Sequence, residues 1–185
     1  ITIMMGSIRE EYTVEILAPT SVNLRIRGDD DDYRIRGFAG DVRLDFEDGR
    51  AQLMNMTGSH FEIGVEDGDL ELQGGSGMLD IYAEDGSVDV EDGQFTDVNA
   101  RVEDGDITIS TTIVDDGKYR IRAEDGSIEL NVEDGGGDFQ LVFDDGSTRV
   151  GRQFDLLDED EGYEEYQLGE GDAKVRLEVE DGRIT

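Results

Sequence analysis

A three-residue turn, Glu-Asp-Gly or Asp-Asp-Gly, returns along this chain at a near-constant interval, and that interval constrains the fold more than any other feature. Its Asp falls at Asp48, Asp67, Asp85, Asp104, Asp125 and Asp145, so successive copies are 19, 18, 19, 21 and 20 residues apart. Intermediate copies sit at Asp92, Asp116 and Asp134, and a terminal one at Asp181. Self-similarity at such a period marks a stacked repeat, in which each unit buries its apolar face only against its neighbours.

The residues around the turn carry a second regularity. Positions 6, 4 and 2 before the Asp read Val42, Leu44, Phe46; Phe61, Ile63, Val65; Leu79, Ile81, Ala83; Val98, Ala100, Val102; Tyr119, Ile121, Ala123; and Phe139, Leu141, Phe143. Positions 3 and 5 after it read Ala51, Leu53; Leu70, Leu72; Val88, Val90; Ile107, Ile109; Ile128, Leu130; and Thr148, Val150. Of these 30 positions 29 are apolar, although only 36% of the chain is hydrophobic. This is period-2 alternation, so each repeat carries two strands that flank an acidic corner and bury one face. Arg43, Asp45, Glu62, Asp80 and Arg101 fall between the apolar positions and point to solvent.

The terminal copy obeys the same rule, with Val175, Leu177 and Val179 before Asp181 and Ile184 after it. Val22, Leu24 and Ile26 fit an opening repeat if Gly28 takes the turn position. Between Gly151 and Gly171 the pattern lapses into Phe154, Leu156, Leu157, an acidic stretch from Asp158 to Glu161, then Tyr163 and Tyr166. That segment reads as a capping excursion whose aromatics cover the last repeat. No segment has helical periodicity, so the chain is expected to be all-β.

Two all-β architectures fit. Asp-Gly between alternating strands is a hairpin signal and would give an antiparallel meander or barrel. A meander has no reason to repeat at the two-strand level, whereas a single-stranded parallel β-helix must present the same side chains to the repeat above and below. The expectation is therefore a β-helix of about eight coils, ~35–40 Å long at ~4.8 Å per coil. It forms one domain over 1–185: opening strands over 1–40, regular coils over 41–150, and the excursion with a closing coil over 151–185.

Charge is the other strong constraint. Sixteen basic residues stand against 48 acidic ones, a net charge of −32. Such a field repels nucleic acid and anionic lipid, which excludes both as partners. Three readings account for the acids: a solvated surface adapted to high salt, ordinary acidity of an envelope protein, or divalent cation binding. The first is favoured because the acids spread through every repeat. No apolar run reaches the ~18 residues of a membrane span, and the absence of cysteine rules out disulfides and thiolate chemistry. The chain opens with Ile1 and has no leader pattern, so a signal or anchor is expected to be missing from this fragment.

Several segments resemble a bacterial β-strand-repeat family named for adhesins, a domain of unknown function. The resemblance rests on the opening Val14-Glu15-Ile16-Leu17-Ala18-Pro19, on Ser21 to Arg27 and on Gly37-Phe38-Ala39-Gly40-Asp41-Val42. It also rests on the closing Gly169-Glu170-Gly171, Val175, Leu177, Val179 and Gly182-Arg183-Ile184. The resemblance spans nearly the whole chain and implies a right-handed parallel β-helix, an envelope-associated or secreted bacterial setting, and no established activity. The chain departs from the family pattern at its corners, where Glu-Asp stands in place of Ser, Thr or Asn before Gly.

Candidate chemistry is sparse. The corner pairs Glu47/Asp48, Glu66/Asp67, Glu84/Asp85, Glu103/Asp104, Glu124/Asp125 and Asp144/Asp145 form a line of carboxylates. Weak divalent cation binding there would relieve repulsion; the plainer account is that Asp before Gly is good turn chemistry. Calcium motifs fail: Gly74-Gly75-Ser76-Gly77-Met78 is followed by Leu79 rather than Asp, and Asp158–Gly162 is followed by Tyr163 where Gly is needed. The single histidine, His60, stands beside Ser59 without the order of a hydrolytic triad. Arg101, Arg120 and Arg122, with Lys118, form a small basic spot suited to an anionic sugar or a partner's carboxylate, or to neutralising nearby acids. The functional expectation is a non-enzymatic acidic surface module, with no catalytic, cofactor or metal residues assigned, for an unknown protein or carbohydrate partner. The alternative is a carbohydrate-active hydrolase or lyase on the same scaffold.

Overall fold

The computed structural model describes residues 2–4 and 14–185, so part of the expected opening segment lies outside the described residues. Ten strands follow one another: β1 (Thr2–Met4), β2 (Leu24–Asp30), β3 (Tyr33–Arg36), β4 (Val42–Met56), β5 (His60–Thr112), β6 (Lys118–Asp134), β7 (Gly137–Thr148), β8 (Asp155–Asp160), β9 (Tyr163–Leu168) and β10 (Ala173–Ile184). There is no helix among the described residues. One sheet joins all ten in the order β1-β2-β4-β5-β6-β10-β7-β9-β8, with β3 pairing β4.

Pairing is parallel at an offset of one sequence repeat. Val42, Leu44 and Phe46 lie against Phe61, Ile63 and Val65, and Ala51 and Leu53 against Leu70 and Leu72. Val98, Ala100 and Val102 lie against Tyr119, Ile121 and Ala123 in the same way. A two-strand meander would pair Phe46 with its neighbour across the turn; Phe46 instead meets Val65, one repeat onward. The strands run through the Glu-Asp-Gly corners without losing register, which is why β5 is 53 residues long. Within β5, Asn99 donates to Asp80 and Ser87 to Asp69, contacts 19 and 18 residues apart that tie successive repeats together.

Of the 30 inward positions read from the sequence, 26 are buried. Leu130, Phe143 and Val150 are half-buried and pack on the same core, as the half-exposed Thr148 completes the set at the β7 end. Each buried aliphatic or aromatic side chain contributes roughly 1.5–3 kcal/mol relative to exposure, so the columns supply most of the cohesion. Met56, Phe95 and Ile113 join them from outside the repeat pattern. Phe95 meets Phe61 edge-on at 6.4 Å. The buried Tyr119 hydroxyl donates to the Phe95 carbonyl at 2.7 Å and accepts from Val114 N–H at 2.9 Å, so no polar group is stranded there.

The corner glycines are dictated by stacking. At Gly86 (φ +127°) an added Cβ would stand 2.0 Å from the Gly68 carbonyl oxygen; at Gly126 (φ +146°) it would stand 1.9 Å from that of Gly105. Each glycine thus sits against the backbone of the glycine one repeat earlier, where no side chain fits and the φ disfavours any L-residue.

Three features depart from the sequence expectation. In the opening repeat Asp30, not Gly28, lies against Asp48, while Leu24, Ile26 and Gly28 lie against Val42, Leu44 and Phe46. The register is two residues later than expected. Gly28 faces inward because the Tyr33 ring fills that place, with its hydroxyl 1.7 Å from where a Gly28 Cβ would be. Second, β10 does not stack beyond β7 but lies between β6 and β7: Leu177 meets Ile121 on one side and Leu141 on the other. Third, pairing is not parallel throughout, because β9 runs antiparallel on β7 and β8 antiparallel on β9. Phe154 packs edge-on against Phe139 at 5.0 Å and against Tyr166 at 6.4 Å.

Candidate functional site

The acidic corners form one continuous ladder. Asp30 lies against Asp48, Asp48 against Asp67, Asp104 against Asp125, Asp125 against Asp181, and Asp181 against Asp145. The Asp85 carboxyl hydrogen-bonds that of Asp67 and feels the charge of Asp104, which closes the line. Parallel in-register pairing makes this unavoidable, since identical positions of neighbouring repeats stand about 4.8 Å apart.

Like charges at that spacing oppose ionisation. The hydrogen bond that the protonated Asp48 carboxyl donates to Asp30 is the main reason that Asp48 holds its proton above the usual carboxylate range, followed by desolvation and the charges of Asp30, Asp67 and Glu66. Asp85 is raised likewise, first by its bond to Asp67. Glu47 is raised chiefly by the charge of Glu66. One rung over, Asp69 is lowered: Ser87 donates to it at 2.6 Å and Arg50 stands at 3.3 Å. Among the described residues, no three His, Cys, Asp or Glu side chains converge to hold a metal ion.

His60 sits at the start of β5, with Nε2 2.6 Å from Asp80, whose other oxygen accepts from Asn99 at 3.1 Å. No hydroxyl bonds the imidazole among the described residues, so the group is a polar clasp across repeats rather than a nucleophile site.

The basic spot divides in two. Arg101 pairs with Glu124 at 2.5 Å and Arg122 with Glu180, Glu178 and Glu124, so both neutralise acids on their own face. Lys118 and Arg120 make no ion pair among the described residues. The insertion of β10 sets Lys174 beside Lys118 and Arg176 beside Arg120, two cations that the order of the sequence does not place there. Lys174 contacts Asp138, and Arg176 contacts Glu178 at 3.1 Å. Arg122 Nε is buried and unbonded within the same face.

Two shallow depressions mark the surface, of about 390 and 350 Å³. One is lined by Gly126, Ser127, Glu129, Gly182 and Arg183, the other by Gln52, Met54, Glu71, Gln73, Asp89 and Glu91.

Compared with known proteins, the chain matches neither a curated protein nor a solved structure. Residues 3–185 match the family described as Toastrack DUF4097. That match takes in every strand but the first residue of β1 and all of the corner ladder, so this chain belongs to the Toastrack DUF4097 family, a domain of unknown function with β-strand repeats.

Proposed function

We propose that the chain winds as a single right-handed parallel β-helix and serves as a rigid, acidic, non-enzymatic interaction module of the bacterial cell envelope, acting on a protein or carbohydrate partner. Parallel registers at one-repeat offsets and two inward-facing columns per repeat support the winding. The unbroken aspartate ladder carries the functional reading. It is an open, regularly spaced charged edge on a scaffold whose backbone contacts leave it little room to adjust.

The placement of the raised carboxyls also favours a module over a hydrolase. A glycosidase needs one carboxyl kept protonated inside a cleft that holds the sugar. Asp48, Asp85 and Glu47 are raised on the open ladder instead, and none of them lines either depression. The test is to incubate the purified chain with a panel of bacterial and host polysaccharides and envelope proteins, scoring retention and turnover separately. Saturable retention without new reducing ends or unsaturated products is the expected result. Polysaccharide cleavage abolished by replacing Glu71 and Glu91 would assign a carbohydrate-active enzyme. Protease treatment of intact cells producing the full gene product tests the location; resistance until lysis would refute an outward-facing envelope site.

A further inference from the structure

We propose that Lys118, Arg120, Lys174 and Arg176 form a binding site for a compact oxyanion of the phosphate type. The four occupy alternate, outward positions of two adjacent parallel strands, in register as Lys118 beside Lys174 and Arg120 beside Arg176. Their Cα atoms therefore outline a rectangle of about 4.8 Å across the strands by about 6.6 Å along them. Like charges directly opposite one another destabilise a sheet unless something neutralises them.

The chain has three acids for every base, yet Lys118 and Arg120 remain without an ion pair among the described residues. The carboxylates that do approach sit at the rim: Asp138 at Lys174, and Glu178 at Arg176, shared with Arg122. Asp97 lies across from Lys118 in register without an ion pair to it. Asn99 lies across from Arg120 and is already committed to Asp80, so Arg120 has no acid in register on that side. Arg122, next outward along β6, keeps a buried Nε with no acceptor.

The shape of the array selects the ligand. Two guanidinium forks match the oxygens of a tetrahedral anion bidentately, and two ammonium groups add charge without directional demand. A dianion gains twice the attraction of a carboxylate, and the carboxylates that the chain supplies engage only Lys174 and Arg176 of the four. An extended polyanion would meet the surrounding field of a −32 protein, so only a small anion profits fully.

The experiment titrates inorganic phosphate into the full chain by calorimetry and by NMR of the guanidinium groups, at low and matched ionic strength. Saturable binding is expected, weakened about tenfold or more in Arg120→Gln/Arg176→Gln, a loss of about 1.4 kcal/mol. Arg152→Gln, outside the array, should bind as the parent does. Both variants alter exposed side chains, and unchanged thermal melting would show that the fold is intact. Absence of saturable phosphate binding would overturn the proposal, as would equal weakening by Arg152→Gln or equal binding of acetate. Vesicles of phosphatidic acid test a lipid headgroup as the phosphate source. No co-sedimentation is expected from so acidic a chain. Co-sedimentation lost in the double variant would support the same chemistry at a headgroup, and co-sedimentation retained there would count against the array.

Discussion

Two kinds of corner recur along the repeats, and they obey different rules. At the Glu-Asp-Gly corners of Gly68, Gly86, Gly105 and Gly126 the glycine stands against the carbonyl of the glycine one repeat earlier, at contact distances no Cβ tolerates. At the other corner the equivalent positions are Gly37, Asn55, Gly74 and Asp92, with φ of +67°, +53°, +67° and +55°. These are all left-handed, but no carbonyl blocks them: a Cβ at Gly37 meets nothing within 4 Å, and one at Gly74 meets first the Asn55 side-chain oxygen at 3.2 Å. Asn and Asp visit this region at modest cost. So the first corner demands glycine by contact and the second demands only a backbone angle. That is why one corner repeats as a legible motif and the other varies.

The largest expected effect falls at the first corner. Gly86→Ala adds backbone strain to a backbone clash, each worth about 1–3 kcal/mol, so unfolding stability should fall by about 2–6 kcal/mol. Denaturant titration measures it. A loss below that of an Ala placed at the open Gly37 would break the contact account of the corner.

Next come the columns between the corners. Ile81, 3% exposed, should cost about 2–5 kcal/mol as Ile81→Ala. Arg43, whose ion pairs to Asp45 and Glu62 are half-exposed, should cost at most about 1 kcal/mol as Arg43→Ala. Similar losses at the two sites would mean that the inward and outward faces are wrongly assigned.

The inward columns and the first corners were legible from residue types alone, because period-2 alternation and an invariant turn are both local signals. What was not legible was long-range. A two-residue slip leaves alternation unchanged, so the pattern alone fits Gly28 to a turn, whereas the Tyr33 ring fills its place. The closing copy carries the same offsets whichever repeats it touches, so nothing in Val175, Leu177 and Val179 says that β10 lies between β6 and β7. One local signal does mark the insertion. Gly135, Gly136 and Gly137 follow one another where the chain steps aside for β10, and a Cβ at Gly136 would stand 2.0 Å from the Leu168 carbonyl. The cationic array depends on that insertion, so only its β6 half could be seen in the sequence.

The first corner also carries the charge, and this gives a pH prediction. Asp48, Asp85 and Glu47 bind protons more tightly folded than unfolded, so their contribution to stability is full below the unfolded carboxylate values and lost as pH rises through the folded ones. Melting temperature should therefore climb as pH falls from neutrality toward the ordinary carboxylate range near 4. Asp69 acts oppositely, and its contribution is lost as pH falls through its lowered value, below that ordinary range. Asp48→Asn/Asp85→Asn should raise the melting temperature at pH 7 and flatten the climb; an unchanged slope would remove the ladder as its cause. Monovalent salt should raise the melting temperature smoothly as the screening length falls from ~10 Å at 0.1 M to ~3 Å at 1 M. A saturable calcium effect at matched ionic strength would instead reveal a cation site on the ladder.

The smallest effect belongs to the second corner, and it tests the comparison most narrowly. Gly74→Asn keeps a residue able to hold φ near +67°, and its Cβ would press only on the far end of the flexible Asn55 side chain at 3.2 Å, with the Asn55 backbone at an ordinary 4.0 Å. Replacing glycine also reduces the freedom of the unfolded chain, which favours folding by up to about 1 kcal/mol where the new residue fits. The left-handed angle costs a similar amount. The two nearly cancel, so stability should stay within about 0.5 kcal/mol of the parent, in line with the Asn already accepted at position 55. Gly74→Val, branched at Cβ, keeps the angle penalty without Asn's local hydrogen bonding and should lose about 1–3 kcal/mol. If Asn and Val cost the same, the second corner is governed by contact after all, and the distinction between the two corners disappears.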